Sequence, residues 1–212
     1  MINFIPIFPL AIVVFPHEEL NLHIFEPRYK QLIQDCVTAK KPFGIPVVLD
    51  NRVSEMGTLI EIREISKTYD TGELDIRTVG KKVFRTLEII KDVPGKLYNG
   101  AIVDYPLNRE HGRRTLMKKV ITATKLLHEM LHVEKLNTKE EASLWSYDLA
   151  HHVGLSIEEE YEFLSLMNEL QRQEYLKRHL AKVIPVVAEM EALKKKIKLN
   201  GHFKNIDGFS IL

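Results

Sequence analysis

Between Leu126 and Val133 the sequence reads LLHEMLHV, and His128-Glu129-Met130-Leu131-His132 has the spacing with which zinc hydrolases bind their metal. That chemistry needs two neutral imidazoles one helical turn apart, a carboxylate to take a proton from metal-bound water, and a third protein ligand. His128 and His132 would be the first two ligands and Glu129 the base, with His151, His152 or Glu158 as the third ligand. The bare pattern arises by chance in roughly 4% of chains of this size and composition. At helical spacing Leu116, Val120, Ala123, Leu127 and Met130 share one face, which turns both histidines toward the flank and solvent. Lys125 and Glu134 bracket the motif with charge, where a buried metal helix wants apolar support. The expectation is a pair of surface histidines and no metal, with a zinc hydrolase as the alternative.

Other chemical patterns fail sooner. GKLYNGAI (95–102) has the two glycines of a phosphate loop, but Ala and Ile stand where Lys and Ser or Thr must meet phosphate and magnesium. No G-x-S-x-G elbow and no dinucleotide fingerprint occurs. The one cysteine, Cys36, falls on an apolar helix face and is expected as a buried thiol. The expectation is therefore a chain that is not an enzyme and carries no cofactor.

The elements behind these residues fall into two halves. Up to about residue 105, short apolar runs punctuated by Gly and Pro predict strands at 12–15, 43–49, 58–65, 74–79, 83–90 and 98–105, with a hairpin turn in YDTGEL (69–74). One helix interrupts them, launched by Glu26-Pro27 and carrying Tyr29, Leu32, Ile33, Cys36 and Val37 on one face up to Pro42. From about 109 the period becomes helical, with Thr138-x-x-Glu141 and Ser156-x-x-Glu159 as capping boxes. Helices are expected near 110–135, 139–153, 157–169 and 171–199, the last split or kinked before Pro185. The domains so predicted are a β-barrel over 1–108, a helical bundle over 109–200 and a loosely attached tail over 201–212.

Composition bounds the partners. The 212 residues carry 30 Lys plus Arg against 29 Asp plus Glu, so no overall field draws the chain to nucleic acid or an anionic membrane. The basic clusters Arg113-Arg114, Lys118-Lys119 and Lys194 to Lys198 read as solvated helix faces. The apolar opening MINFIPIFPLAIVVFP has no basic residue before the run, no cleavage site and prolines at 6, 9 and 16, which excludes a signal or spanning helix there. A cytoplasmic protein is the expectation.

The most particular stretch is FIPIFPLAIVVFPHEELNLHIFEPRYKQLI (4–33). Glu26 stands where a carboxylate can meet the free amides of the following helix, with Arg28 and Tyr29 in its first turn. Cap, ion pair and core aromatic are the structural roles this trio predicts. The stretch resembles the amino-terminal domain of the Lon protease family, which shares a PLFPL-like opening, a proline after the next strand and an IFEPRY-like helix start. Here these read PIFPL (6–10), Phe15-Pro16 and IFEPRY (24–29). The likeness continues through FGIP (43–46), MGTLIEI (56–62) and GKKVFRTLEI (80–89), where Val83 replaces the family's arginine before Phe84. A looser match covers QEYLKRHLAKVIPVV (173–187).

The resemblance implies an α+β protein, a PUA-like mixed β-barrel followed by an α-helical bundle. It also implies a substrate-recognition role, since in full-length Lon this region helps to hold protein substrates for an ATPase module and a Ser-Lys peptidase domain. Neither module is legible in this sequence. The expectation is a stand-alone, non-catalytic adaptor that binds unfolded or specific protein segments, with a protease or chaperone as a further candidate partner. The residues expected to touch protein are His23, Glu26 and Arg28. RNA binding through the PUA-like barrel is a second alternative, by fold analogy only.

Overall fold

The computed structural model describes residues 3–133 and 139–203, with side chains given up to 198. Its strands are β1 (Asn3–Pro6), β2 (Glu19–Ile24), β3 (Phe43–Leu49), β4 (Arg52–Thr68), β5 (Leu74–Ile90) and β6 (Gly100–Asp104). Its helices are α1 (Pro27–Ala39), α2 (Arg114–Leu131), α3 (Ser146–Ala150), α4 (Ile157–Leu164) and α5 (Glu169–Phe203), with a 3-10 turn at Glu141–Ser143. The chain forms two compact units, Met1–His111 with Gly154–Glu169, and Gly112–Val153 with Leu170–Leu212. Among the described residues, no helix is long and apolar enough to cross a membrane.

In the first unit the sheet order is β1-β6-β5-β4-β3, with every named pairing antiparallel. β2 joins the half of β5 that β6 leaves free, pairing from Glu19↔Val79 to Ile24↔Leu74. The segment after β1 closes the circle by lying parallel to β3, with bridges Ile7↔Gly44 and Leu10↔Val47. The Phe8 and Leu10 amides donate to the Gly44 and Pro46 carbonyls at 2.8 and 3.3 Å. Pro9 falls between them, at the alternate position where a missing N–H costs the ladder nothing. PIFPL is thus the seam of a mixed barrel.

Two positive-φ residues, Asp50 and Asn51, turn β3 into β4 through Leu49↔Arg52. At the next hairpin Gly72 takes φ +75° and its amide donates to the Tyr69 carbonyl at 2.8 Å. The expected break in β5 at Gly80 does not occur. Lys81 is bulged out between Ile60↔Gly80 and Leu59↔Lys82, and one strand runs on. The expected strand at 12–15 is absent as well. Val13, Val14 and Phe15 are buried, but their polar bonds go elsewhere: Thr58 Oγ1 donates to the Val14 carbonyl at 2.5 Å and the Phe15 amide to Glu18 Oε2 at 2.7 Å.

α1 lays Tyr29, Leu32, Ile33 and Cys36 onto the barrel interior, where they form one core with Phe8, Ile24, Phe43, Ile60 and Ile76. Its outer side holds the loop before β6. Tyr98 donates to Asp35 Oδ2 at 2.7 Å, Lys96 bonds the same oxygen at 2.8 Å, and the Leu97 amide donates to Gln31 Oε1 at 2.6 Å. The Lys96 ammonium and the Tyr98 hydroxyl together hold the Asp35 carboxyl below its usual range.

α4 also belongs to the first unit, although its periodicity groups it with the helices that follow. Its Ser156–Glu159 capping box forms with bonds of 2.8 and 3.3 Å. Arg109 pairs with Asn168 in an isolated parallel bridge, through bonds to Met167 and Glu169 at the start of α5.

In the second unit α2 buries Leu116, Met117, Val120, Ile121 and Leu127. Arg172, fully buried on α5, places its guanidinium 4.2 Å from the Tyr147 ring centroid and bonds Ser146 Oγ at 3.2 Å. The helix expected over 139–153 is replaced by the short turn and α3, because Asp148 accepts from the Trp145 amide at 2.8 Å and starts a new helix there. Its expected cap, Thr138, lies outside the described residues. α5 is not split at Pro185 and continues past Gly201 to Phe203, so the expected tail is helical over 201–203 and otherwise falls outside the described residues.

Candidate functional site

The IFEPRY stretch forms where β2 ends and α1 begins. Alternation along β2 buries Ile24 and leaves His23 and Phe25 on the outside, with Phe25 59% exposed. His23 pairs across the sheet with Asp75, so its Nδ1–H donates to Asp75 Oδ1 at 2.6 Å, and its Nε2 lies 3.5 Å from Glu73. Tyr69, from the hairpin turn, donates to the other Asp75 oxygen at 2.8 Å and stands edge-on to the His23 ring. Lys67 lies 4.1 Å from the Tyr69 centroid. The bonds from His23 and Tyr69 hold the Asp75 carboxyl below the ordinary carboxylate range.

A prediction follows from that direction. The folded state keeps Asp75 ionised to lower pH than the unfolded chain does, so its stabilisation is complete above the ordinary carboxylate pKa and is lost as pH falls through the lowered one. Protection of the Tyr69–Leu74 amides, taken as the exchange rate relative to the intrinsic rate at the same pH, should fall as pH drops below the ordinary carboxylate range, and Asp75→Asn should flatten that dependence. An unchanged pH profile in the variant refutes the assignment.

The other two expected residues, Glu26 and Arg28, meet each other. Glu26 occupies the N-cap of α1, yet its side chain makes no cap bond. Pro27 has no N–H, and the Tyr29 amide is taken by the Glu26 carbonyl at 3.0 Å, as is the Lys30 amide. The carboxylate instead accepts from Arg28 Nε and Nη2 at 2.9 and 2.7 Å on one oxygen. The capping role expected of this side chain is thus replaced by an ion pair. The Arg28 guanidinium lies 4.5 Å from the Tyr29 centroid, and Tyr29 stacks on Phe8 at 3.8 Å, which roots the pair in the core. His23 on one side and Glu26 with Arg28 on the other therefore flank Phe25. Sequence reasoning missed Phe25, Tyr69 and Asp75; the period of two along β2 was the available signal for Phe25.

The HEMLH histidines are not brought together as a zinc helix would require. α2 stops at Leu131, and His132 is its left-handed C-cap at φ +54°, so only His128 is helical. His128 is half-buried rather than solvent-facing, because its Nε2–H donates to the His152 carbonyl at 2.7 Å. The His152 ring stands 6.4 Å away and edge-on, while Glu158 belongs to the other unit. Among the described residues, no group of three His, Cys, Asp or Glu could hold a metal ion.

Comparison with known proteins gives the same architecture. The structure resembles the crystal structure of a Lon N-terminal domain protein from Xanthomonas campestris, with a TM-score of 0.63 at 24% identity, covering 82% of this chain and 96% of that one. It also resembles the N-terminal domain of the Mycobacterium avium complex Lon protease, with a TM-score of 0.59 at 13% identity, covering 84% and 98%. Both likenesses concern the fold: an α+β protein with a PUA-like barrel and helices. The family model of the ATP-dependent protease La (Lon) substrate-binding domain matches residues 5–182. With the seam, the IFEPRY junction, α1 to α4 and the start of α5 inside that match, the chain belongs to the family of Lon substrate-binding domains.

Proposed function

We propose that this chain is a non-catalytic recognition module that binds unfolded or specific segments of other polypeptides, as a cytoplasmic adaptor for a protease or chaperone. The observation that carries the reading is the substrate-binding-domain match over residues 5–182. The surface at the β2–α1 junction is suited to such a role. Phe25 is an exposed aromatic in the short link between β2 and α1, and the His23–Asp75 and Glu26–Arg28 pairs fix polar groups on both sides of it. An aromatic anchor beside arginine is the composition that concentrates binding energy at protein interfaces.

The test is fluorescence anisotropy with a reduced, carboxymethylated model protein as the unfolded ligand. The wild-type chain should bind it, and Phe25→Ser and Arg28→Glu should each weaken binding by about tenfold, as loss of an interface anchor does. Full affinity in both variants removes this surface from the proposal. Failure of the wild type to hold any unfolded protein removes the function.

A further inference from the structure

β3 leaves the sheet edge at Phe43↔Ile60, while β4 continues to Thr68. From Glu61 onward β4 is paired on one side only, to β5, and no strand covers its other edge among the described residues. The C-terminal turn of α1 stands beside this uncovered edge, and a groove of about 730 Å³ lies between them. The whole groove belongs to the first unit. Its apolar lining comes from Cys36, Val37 and Pro42 on one wall and Leu59, Ile62 and Ile65 on the other. Burial pushes the Cys36 thiol up to about 12, so the lining there is neutral and unreactive.

The rim is unevenly charged. Lys40, Lys41, Arg63, Lys81 and Lys82 stand around it against Glu61 and Glu64 alone. Both carboxylates are engaged: Glu61 holds Arg63 at 2.7 Å and Lys81 at 3.1 Å, and Glu64 holds Arg77 at 3.1 Å. Lys82 lies over the Tyr105 ring at 3.7 Å. Lys40 and Lys41 have no ion-pair partner among the described residues. α1 places them there by its left-handed end: Lys40 takes φ +52°, and the Lys40 and Lys41 amides donate to Val37 and Cys36 at 3.2 and 2.9 Å.

We propose that this groove takes a short extended peptide segment, which lays apolar side chains on Val37, Ile62 and Ile65 and sets an acidic side chain against Lys40 and Lys41. The occupant follows from the groove's own features. An uncovered strand edge offers backbone donors and acceptors to an extended chain, and alternate side chains of that chain enter the lined wall. The edge is interrupted by bulges at Arg63 and Ser66 and carries Arg63, Glu64 and Lys67. These features oppose long edge-to-edge pairing between two copies of the chain, yet leave room for a few residues of peptide. The unpaired lysines then select acid over base. The proposal rests on the protein-binding reading above and gives it a second contact and a charge preference.

The probes are two fluorescein-labelled peptides of equal length, one alternating leucine with aspartate and one alternating leucine with lysine, titrated with the full chain. The wild type should bind the aspartate peptide and not the lysine peptide. Lys40→Glu combined with Lys41→Glu changes only exposed side chains. It should weaken the aspartate peptide by about tenfold, the size of two exposed ion pairs turned repulsive, and admit the lysine peptide. Val37→Asp should weaken the aspartate peptide, by removing an apolar contact and setting like charge against it. A benzophenone on the bound peptide should cross-link to 36–42 or 59–65. Equal binding of the two peptides, full affinity in the double lysine variant, or cross-links elsewhere overturns the groove assignment. If the wild type still holds the unfolded model protein in that case, the protein-binding function stands without the groove. If it holds neither probe, both fall.

Discussion

Gly80→Ala should lower the stability of the barrel by about 3 kcal/mol, through overpacking against backbone that cannot retreat. The segment Phe15–Glu18 crosses β5 at this residue, with the His17 amide donating to the Gly80 carbonyl and the Gly80 amide to the Glu18 carbonyl, both at 2.8 Å. A methyl group added to Gly80 would overlap the Phe15 carbonyl oxygen and sit 3.3 Å from Thr58 Cγ2. Neither neighbour can yield easily. Phe15 is 1% exposed, and Thr58 is held by its bond to Val14. The requirement is for space rather than for unusual φ, which separates this glycine from Gly72. Thermal denaturation should show a midpoint lower by roughly 10 °C, and Gly95→Ala, whose added methyl meets nothing within 4 Å, should show only the smaller cost of its positive φ. Equal effects at the two positions would refute the close-approach argument.

How far such details can be read in advance depends on the range of the interaction. β3 was legible to the residue, because FGIPVVL is a bounded apolar run, and α1 was legible because Pro27 and the Tyr29, Leu32, Ile33, Cys36 series are local signals. Asp50-Asn51 also carried a local turn signal, in a dipeptide that tolerates positive φ, though it was not among the expected turns. By contrast, the apolar run at 12–15 satisfies the hydrophobic pattern of a strand and yet makes none, since Thr58 and Glu18 supply its polar bonds. Lys81 reads as a gap between strands, but a bulge absorbs it.

The candidate surface divides in the same way. Glu26 and Arg28 were visible as neighbours on a helix start, and their pairing follows from adjacency once Pro27 removes one donor and a backbone carbonyl takes another. The partners of His23 lie about fifty residues away in a hairpin whose turn was legible but whose pairing with β2 was not. The groove beside β4 depends on where β3 stops pairing, a matter of register that composition does not carry.

α4 is the element whose allegiance was least legible, and it supports the second large effect. Phe163→Ala should destabilise the first unit by about 3–5 kcal/mol, the cost of emptying a fully buried aromatic site. Phe163 is 0% exposed and meets Phe15 edge-to-face at 5.7 Å, at the point where the buried Val13–Phe15 segment turns onto Gly80. Tyr161 supplies a second tie, its hydroxyl accepting from the Met56 amide at 3.3 Å. A helix of eight residues is marginal by itself and takes its stability from packing, so loss of the ring should unfasten α4 as well as open the barrel beneath it. Hydrogen exchange reads both consequences: the amides of Ile157–Leu164 and those of Phe15, His17 and Gly80 should lose protection together. Ser156→Ala, which removes only the cap, should cost about 1 kcal/mol and loosen α4 without reaching Gly80. If Phe163→Ala instead opened residues 112–153 and left Phe15 and Gly80 protected, α4 would belong with the helices its periodicity suggests, and the assignment of Gly154–Glu169 to the barrel unit would be wrong.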